Sequence, residues 1–161
     1  MLPESLAGAL EEVLGDQIDA VTRVGGGCIS QTARLETGRG FYFLKWGDAQ
    51  VAETFGVEAR GLETLAEPKT GLHVPEVLAV EAAEGDRPGF LLLEWIETGP
   101  KSGPFWEQLG RDLARLHRAE GSRYGFEEDN FIGRLPQVNT PEEDWPTFFA
   151  EKRLKMQIRM A

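Results

Sequence analysis

The sequence is poor in the residues that build covalent and metal staples. It has one cysteine, Cys28, and two histidines, His73 and His117. A single thiol excludes an internal disulfide and any cysteine-built zinc cluster. The histidines stand far apart and give no metal-ligand spacing, so no metal site is assigned. Positive charge is also short: 17 Lys and Arg face 27 Asp and Glu, for a net charge of −10. Such a chain repels phosphodiester backbones and anionic bilayers, so neither nucleic acid nor membrane is expected as a partner. No apolar run approaches the length of a membrane span. The opening residues, MLPESLAGALEEVLGD, carry acids where a secretory leader carries bases. A cytoplasmic enzyme or binding domain is the expectation.

What is present suffices for a real core: 161 residues, of which 41% are hydrophobic and 27% charged. Leu6, Leu10, Val13 and Leu14 mark a helix over 3–14, closed by Gly15. Strand patterns follow at 18–24, 29–36 and 41–46, then a helix over 49–66 that ends before Pro68. VPEVLAVEAA and FLLLEWI (90–96) read as two more strands. A helix is expected over 104–120 and another over 145–160, the latter with Asp144 as N-cap. Residues 121–144 read as loop. The predicted fold class is α+β, a five-stranded antiparallel sheet with one packed helix (1–97), joined through 98–103 to the start of a helical region (104–161). Gly99, Pro100 and Gly103 suit the joint to a hinge.

Between the first two strands lies VGGGCISQ (24–31). Three consecutive glycines weaken any regular element, so they belong either to a pliant hairpin loop or to a loop whose backbone approaches phosphate. In FYFLKW, alternation places Phe41, Phe43 and Lys45 on one face and Tyr42, Leu44 and Trp46 on the other. Lys45 is thus a charge on a largely apolar strand. It either snorkels to water or needs a partner. The next helix has an inward stripe of Phe55, Ala59, Leu62 and Leu65, and Glu58 falls inside it. Lys45 and Glu58 are expected to pair. Leu91 to Leu93 offer an apolar wall against which adenine fits. Glycine loop, strand lysine, helix glutamate and hinge follow one another in the order found in protein kinases.

The segments GGGCIS, FLKW, EARGLETL, VPEVLAV, LLLEWIE and LGRDLARLH, with the stretch YGFEEDNFIGRLPQVNTPEEDWPTFFAEKRLKMQIRMA, resemble the fructosamine (ketosamine) 3-kinase family, related to aminoglycoside and choline phosphotransferases. The resemblance covers nearly the whole chain. It implies a kinase-like fold and ATP-dependent phosphorylation, with Mg²⁺, of the 3-hydroxyl of a small-molecule or protein-bound ketosamine, which reverses early glycation. By position, Gly25, Gly26, Gly27, Cys28, Ile29 and Ser30 would cover the phosphates. Lys45 would contact them, Glu58 would anchor Lys45, and Glu94 and Ile96 would offer backbone groups to adenine. Ser30 departs mildly from the family's frequent Asn. The larger departure is the lack of a His-x-Asp triplet: His73 precedes Val74-Pro75 and His117 precedes Arg118-Ala119. The catalytic aspartate and the Mg²⁺ ligands would then lie outside these residues, and the chain alone is expected to be inactive.

Asp129 and Asn130 either order a loop on the substrate side or cap a turn. His117, sharing a face with Leu109, Leu113 and Leu116, is expected to be packed. Cys28 is either a small apolar loop residue or a redox switch, its thiolate favoured by nearby N–H groups and Lys45. A homodimer is open through a Cys28 disulfide or through apolar surface near Phe149, Met156 and Met160. Two other functional readings remain: an aminoglycoside- or choline-type phosphotransferase, and a non-catalytic nucleotide-binding or regulatory protein.

Overall fold

The computed structural model describes residues 2–25 and 29–160. Gly26, Gly27 and Cys28, three of the expected loop residues, lie outside the described residues. The elements run in the order α1 (Glu4–Leu14), β1 (Ile18–Arg23), β2 (Gln31–Thr37), β3 (Gly40–Gly47), α2 (Ala49–Ala66), β4 (Val77–Glu81), β5 (Gly89–Glu94) and α3 (Gly103–Leu116). A short hairpin follows, β6 (Asn130–Ile132) and β7 (Leu135–Gln137). A last helical run comprises α4 (Trp145–Phe148), a π-helical segment (Phe149–Leu154) and α5 (Lys155–Met160). The strands of the main sheet pair antiparallel in the order β1-β2-β3-β5-β4. The class is α+β, as predicted.

Each face of the sheet carries a helix. The predicted architecture named one, α2; α1 covers the other face. Leu6, Leu10 and Leu14 of α1 pack with Ala33, Leu35, Leu44, Trp46, Phe90 and Leu92, all at most 9% exposed. Burying each leucine contributes at most about 1.5–3 kcal/mol. On the opposite face Ala52, Phe55 and Ala59 of α2 meet Leu91 and Leu93, with Phe43 and Leu62 at the margin. Period-two alternation along β3 and β5 divides the two cores. Leu65, placed on the inward stripe by spacing, is exposed, as is every residue of the last turn of α2.

The chain divides into two compact units, Met1–Leu116 and His117–Ala161. In the first, α3 is tied to the loop before β4: Arg115 donates to the Thr70 carbonyl at 3.4 Å. Helix α3 stops at Leu116 rather than 120. Residues 117–120 are all exposed and so have no packing to sustain another turn. His117 is exposed rather than packed, and the one buried residue of α3 is Asp112. β4 begins at Val77 rather than 74, since Pro75 cannot donate to a ladder.

The second unit combines an aromatic cluster of Tyr124, Trp145, Phe148 and Phe149 with polar contacts. Asn139, 2% exposed, receives Arg153 Nη2 on its side-chain oxygen at 2.6 Å and donates through Nδ2 to the Glu128 carbonyl at 3.0 Å. Arg153 Nη1 also donates to the Val138 carbonyl at 2.7 Å. Gly125 has φ +144, and a Cβ there would sit 2.5 Å from the Asn139 carbonyl oxygen, so glycine is required. Asp144 caps α4 by accepting from Thr147 N–H at 3.0 Å, as expected. The predicted single helix over 145–160 instead contains the wider π-helical coil, which carries Arg153.

Candidate nucleotide site

Strand β3 delivers Lys45 to the α2 side of the sheet, and α2 delivers Glu58 to meet it. The two form an ion pair through Lys45 Nζ and Glu58 Oε2. The strand-to-helix connection enforces this meeting. Asp48 caps α2 by accepting from Val51 N–H at 3.0 Å, so the helix begins almost directly after β3 and folds back along it. Phe55 and Ala59, adjacent to Glu58 on the helix surface, are buried against the sheet and fix the helix's rotation. The side chains are 21% and 36% exposed, so the pair is anchored in the fold yet reachable from outside.

The glycine loop springs from beside this pair. In the sheet register Thr32 of β2 lies opposite Lys45, with Leu91 of β5 on its other side. Thr32 Oγ1 donates to the Val24 carbonyl at 2.6 Å, and Val24 N–H donates to the Thr32 carbonyl at 3.2 Å. The chain at Gly25 therefore leaves the sheet with one strand, β2, between it and the lysine. Gly25 is exposed, and Ile29 and Ser30 are half-buried.

At the far end of β5, Glu94 donates its N–H to the Glu76 carbonyl at 2.9 Å. Its carboxylate accepts from Glu76 N–H at 3.2 Å and lies 2.9 Å from His73 Nε2. The hydrogen bond from His73, followed by that from Glu76, holds the Glu94 carboxyl below the usual glutamate range. Ile96 is exposed. The Glu94 N–H is thus committed inside the fold, leaving any adenine contact by this residue to its carbonyl.

Asp129 and Asn130 both have partners within the second unit. Asp129 Oδ1 accepts from Asn139 N–H at 2.8 Å, and Asn130 Oδ1 accepts from Gln137 Nε2 at 2.8 Å. Sequence reasoning missed several polar residues. Asp112 is 4% exposed and takes hydrogen bonds from Gln108 at 2.9 Å and Arg115 at 2.6 Å. It borders an open cleft of about 570 Å³ between residues 71–73 and the start of α3. An aspartate inside the leucine spacing of LGRDLARL was the available signal. Asn139 and Arg153 carried none, since their partners are distant in sequence.

A family model described as fructosamine kinase matches residues 3–161. The chain belongs to the fructosamine kinase family. It is 40% identical over 139 residues to a Synechocystis protein named as a ketoamine kinase, covering 86% of this chain and 46% of that protein. It is 38% identical over 155 residues to the chloroplastic protein-ribulosamine 3-kinase of Arabidopsis thaliana, covering 94% of this chain and 46% of that protein. A crystal structure from Thermobifida fusca named as a fructosamine-3-kinase superimposes with a TM-score of 0.78 at 30% identity, covering 98% of this chain and 54% of that one. A second, from Haemophilus somnus, gives 0.83 at 24% identity over 98% of this chain and 53% of that one, which shows a shared kinase-like fold. This fructosamine kinase family chain thus spans about half the length of the relatives it matches.

Proposed function

We propose that the chain forms the ATP-facing part of a ketosamine kinase, one that transfers the γ-phosphoryl of ATP to the 3-hydroxyl of a fructosamine or ribulosamine, free or protein-bound. The observation that carries this reading is the Lys45–Glu58 ion pair beside the root of the glycine loop. A cation held at its amine by a carboxylate keeps its position while it faces a polyphosphate, and pre-positioned charge is what phosphoryl transfer asks of a protein. Backbone N–H groups of Gly25 to Ser30 would cradle the phosphates, where side chains would obstruct. The Glu94 carbonyl and the Ile96 backbone would read adenine. Residues 1–97 would be the ATP-facing lobe, 98–103 its hinge, and 104–161 the first part of the second lobe, where Asp129 and Asn130 would order the substrate side.

Mg²⁺ bound with ATP would neutralise phosphate charge. Mg²⁺ held mainly by the phosphates needs only one or two protein carboxylates. With no His-x-Asp triplet in the sequence, we infer that the 161 residues bind ATP without transferring phosphate. The Cys28 switch and the cytoplasmic location stand as parts of this proposal.

Calorimetric titration with ATP tests the reading. The unaltered chain is expected to bind, and Lys45→Met to weaken binding by about tenfold or more. Equal ATP affinity in the two proteins would remove Lys45 from the site. Phosphorylation of a fructosyl-lysine peptide by the chain alone would overturn its inactivity.

A further inference from the structure

We propose that Arg34 is a positioning residue for the base-reading segment, and that it sets which purine the site accepts. This rests on the nucleotide reading above. Arg34 of β2 lies opposite Phe43 of β3, and Phe43 lies opposite Leu93 of β5. Alternation therefore puts Arg34 on the same face as Lys45, displaced along the strands toward the end of β5.

Its guanidinium is directed at aromatic rings. The central carbon is 4.7 Å from the ring centre of Phe41 and 5.6 Å from that of Trp95. The nearest paired acid is Glu36 at 3.9 Å, beyond hydrogen-bonding distance. Trp95 is the first residue past β5, beyond the ladder. Its ring lies 6.3 Å from Phe43, and its indole N–H donates to Glu97 at 2.9 Å. Arg34, Phe43 and Glu97 thus all contact Trp95. Trp95 stands between Glu94 and Ile96, the two residues whose backbone would meet adenine, so what holds the indole holds that backbone.

The chemical consequence is selectivity. Adenine presents a donor at N6 and an acceptor at N1; guanine presents an acceptor at O6 and a donor at N1. A fixed pair of backbone groups satisfies one pattern and leaves the other with unpaired polar atoms, whereas a segment free to turn accommodates both. A guanidinium over an indole supplies the fixing, and an ammonium supplies it only in part.

Binding of ATP, GTP and inorganic tripolyphosphate to the 161-residue chain, to Arg34→Met and to Arg34→Lys tests the proposal, with circular dichroism confirming each fold. Arg34→Met is expected to weaken ATP by about three- to tenfold while leaving GTP unchanged or tighter and tripolyphosphate unchanged. Arg34→Lys should recover part of the ATP–GTP difference. Equal losses for all three ligands would reduce Arg34 to an ordinary surface charge and overturn its role. Unchanged ATP and GTP affinities in Arg34→Met would do the same while leaving the nucleotide reading intact. An unaltered chain that binds ATP no better than tripolyphosphate would overturn both, since no base would then be read.

Discussion

The two faces of the sheet differ in kind. The face under α1 is closed by leucine, alanine, phenylalanine and tryptophan, with Leu6, Leu10, Ala33, Leu35, Leu44, Phe90 and Leu92 fully buried. The face under α2 has a smaller apolar cluster, and beside it stand Lys45, Glu58 and Arg34, all partly exposed. Adjacent residues of one strand therefore have opposite duties: Leu44 looks into the closed core and Lys45 into the open face. The larger core lies on the first face, and the second combines a smaller core with charges that cost stability wherever they are left unpaired.

The sharpest way to break this contrast is to change the two neighbours separately. Leu44→Ala removes a fully buried side chain and should cost about 2–5 kcal/mol in urea denaturation. The molecules that remain folded should bind ATP within about twofold of the unaltered chain, since the transmitted strain is on the far face. Lys45→Met should do the reverse. Its ion pair is partly exposed, so its removal should change stability by about 1 kcal/mol or less, while ATP affinity falls by about ten- to a hundredfold. An ATP loss in Leu44→Ala as large as in Lys45→Met would mean that the faces are not separable.

Gly89→Ala probes where the faces meet α2. Gly89 is buried in β5, and an added Cβ would collide with the Ala52 side chain and sit 2.8 Å from Ala83 N and 2.9 Å from the Glu81 carbonyl oxygen. The Ala52 methyl has no rotamer to escape into, so α2 must shift, and neither backbone atom can yield cheaply either. The expected cost is about 1–3 kcal/mol by thermal or urea unfolding. Because α2 carries Glu58, ATP affinity should fall together with stability, unlike in Leu44→Ala. Loss of stability with unchanged ATP affinity would show that the ion pair tolerates movement of its helix.

The sheet was legible in the sequence because its signals are local. Alternation along FYFLKW separates Leu44 from Lys45 without reference to any other strand, and Glu58 betrays itself by lying among Phe55, Ala59 and Leu62. The second unit gave no such handle. Its hairpin strands have three residues each, too short to show a period, and Pro136 sits inside one of them. Its buried residues are Phe148 and Asn139, and the asparagine is held by Glu128 and Arg153 across long stretches of chain. Polar burial of that kind follows from a completed fold and not from spacing. Arg34 was missed for a related reason: an arginine on a half-open strand is ordinary until the rings of Phe41 and Trp95 are seen on it.

The smallest expected effect sharpens the contrast at the end of β5, where Glu94 follows Leu92 on the α1 side of the sheet. Glu94 accepts from His73 and from Glu76 N–H, which holds its carboxyl below the usual glutamate range. A carboxyl depressed in the folded state contributes stability that is fully present above its unfolded value and is lost as pH falls through the folded one. Glu94 is about one-third exposed, so solvent screens much of the effect. Urea midpoints of the unaltered chain and Glu94→Gln should therefore differ modestly at neutral pH and converge as pH falls below the ordinary glutamate range. His73→Ala removes the larger of the two hydrogen bonds and should narrow the neutral-pH gap without closing it, because the Glu76 N–H remains. A Glu94→Gln protein more stable than the unaltered chain at neutral pH, with the gap closing toward acid, would show the carboxylate to be a burden in the fold rather than a support.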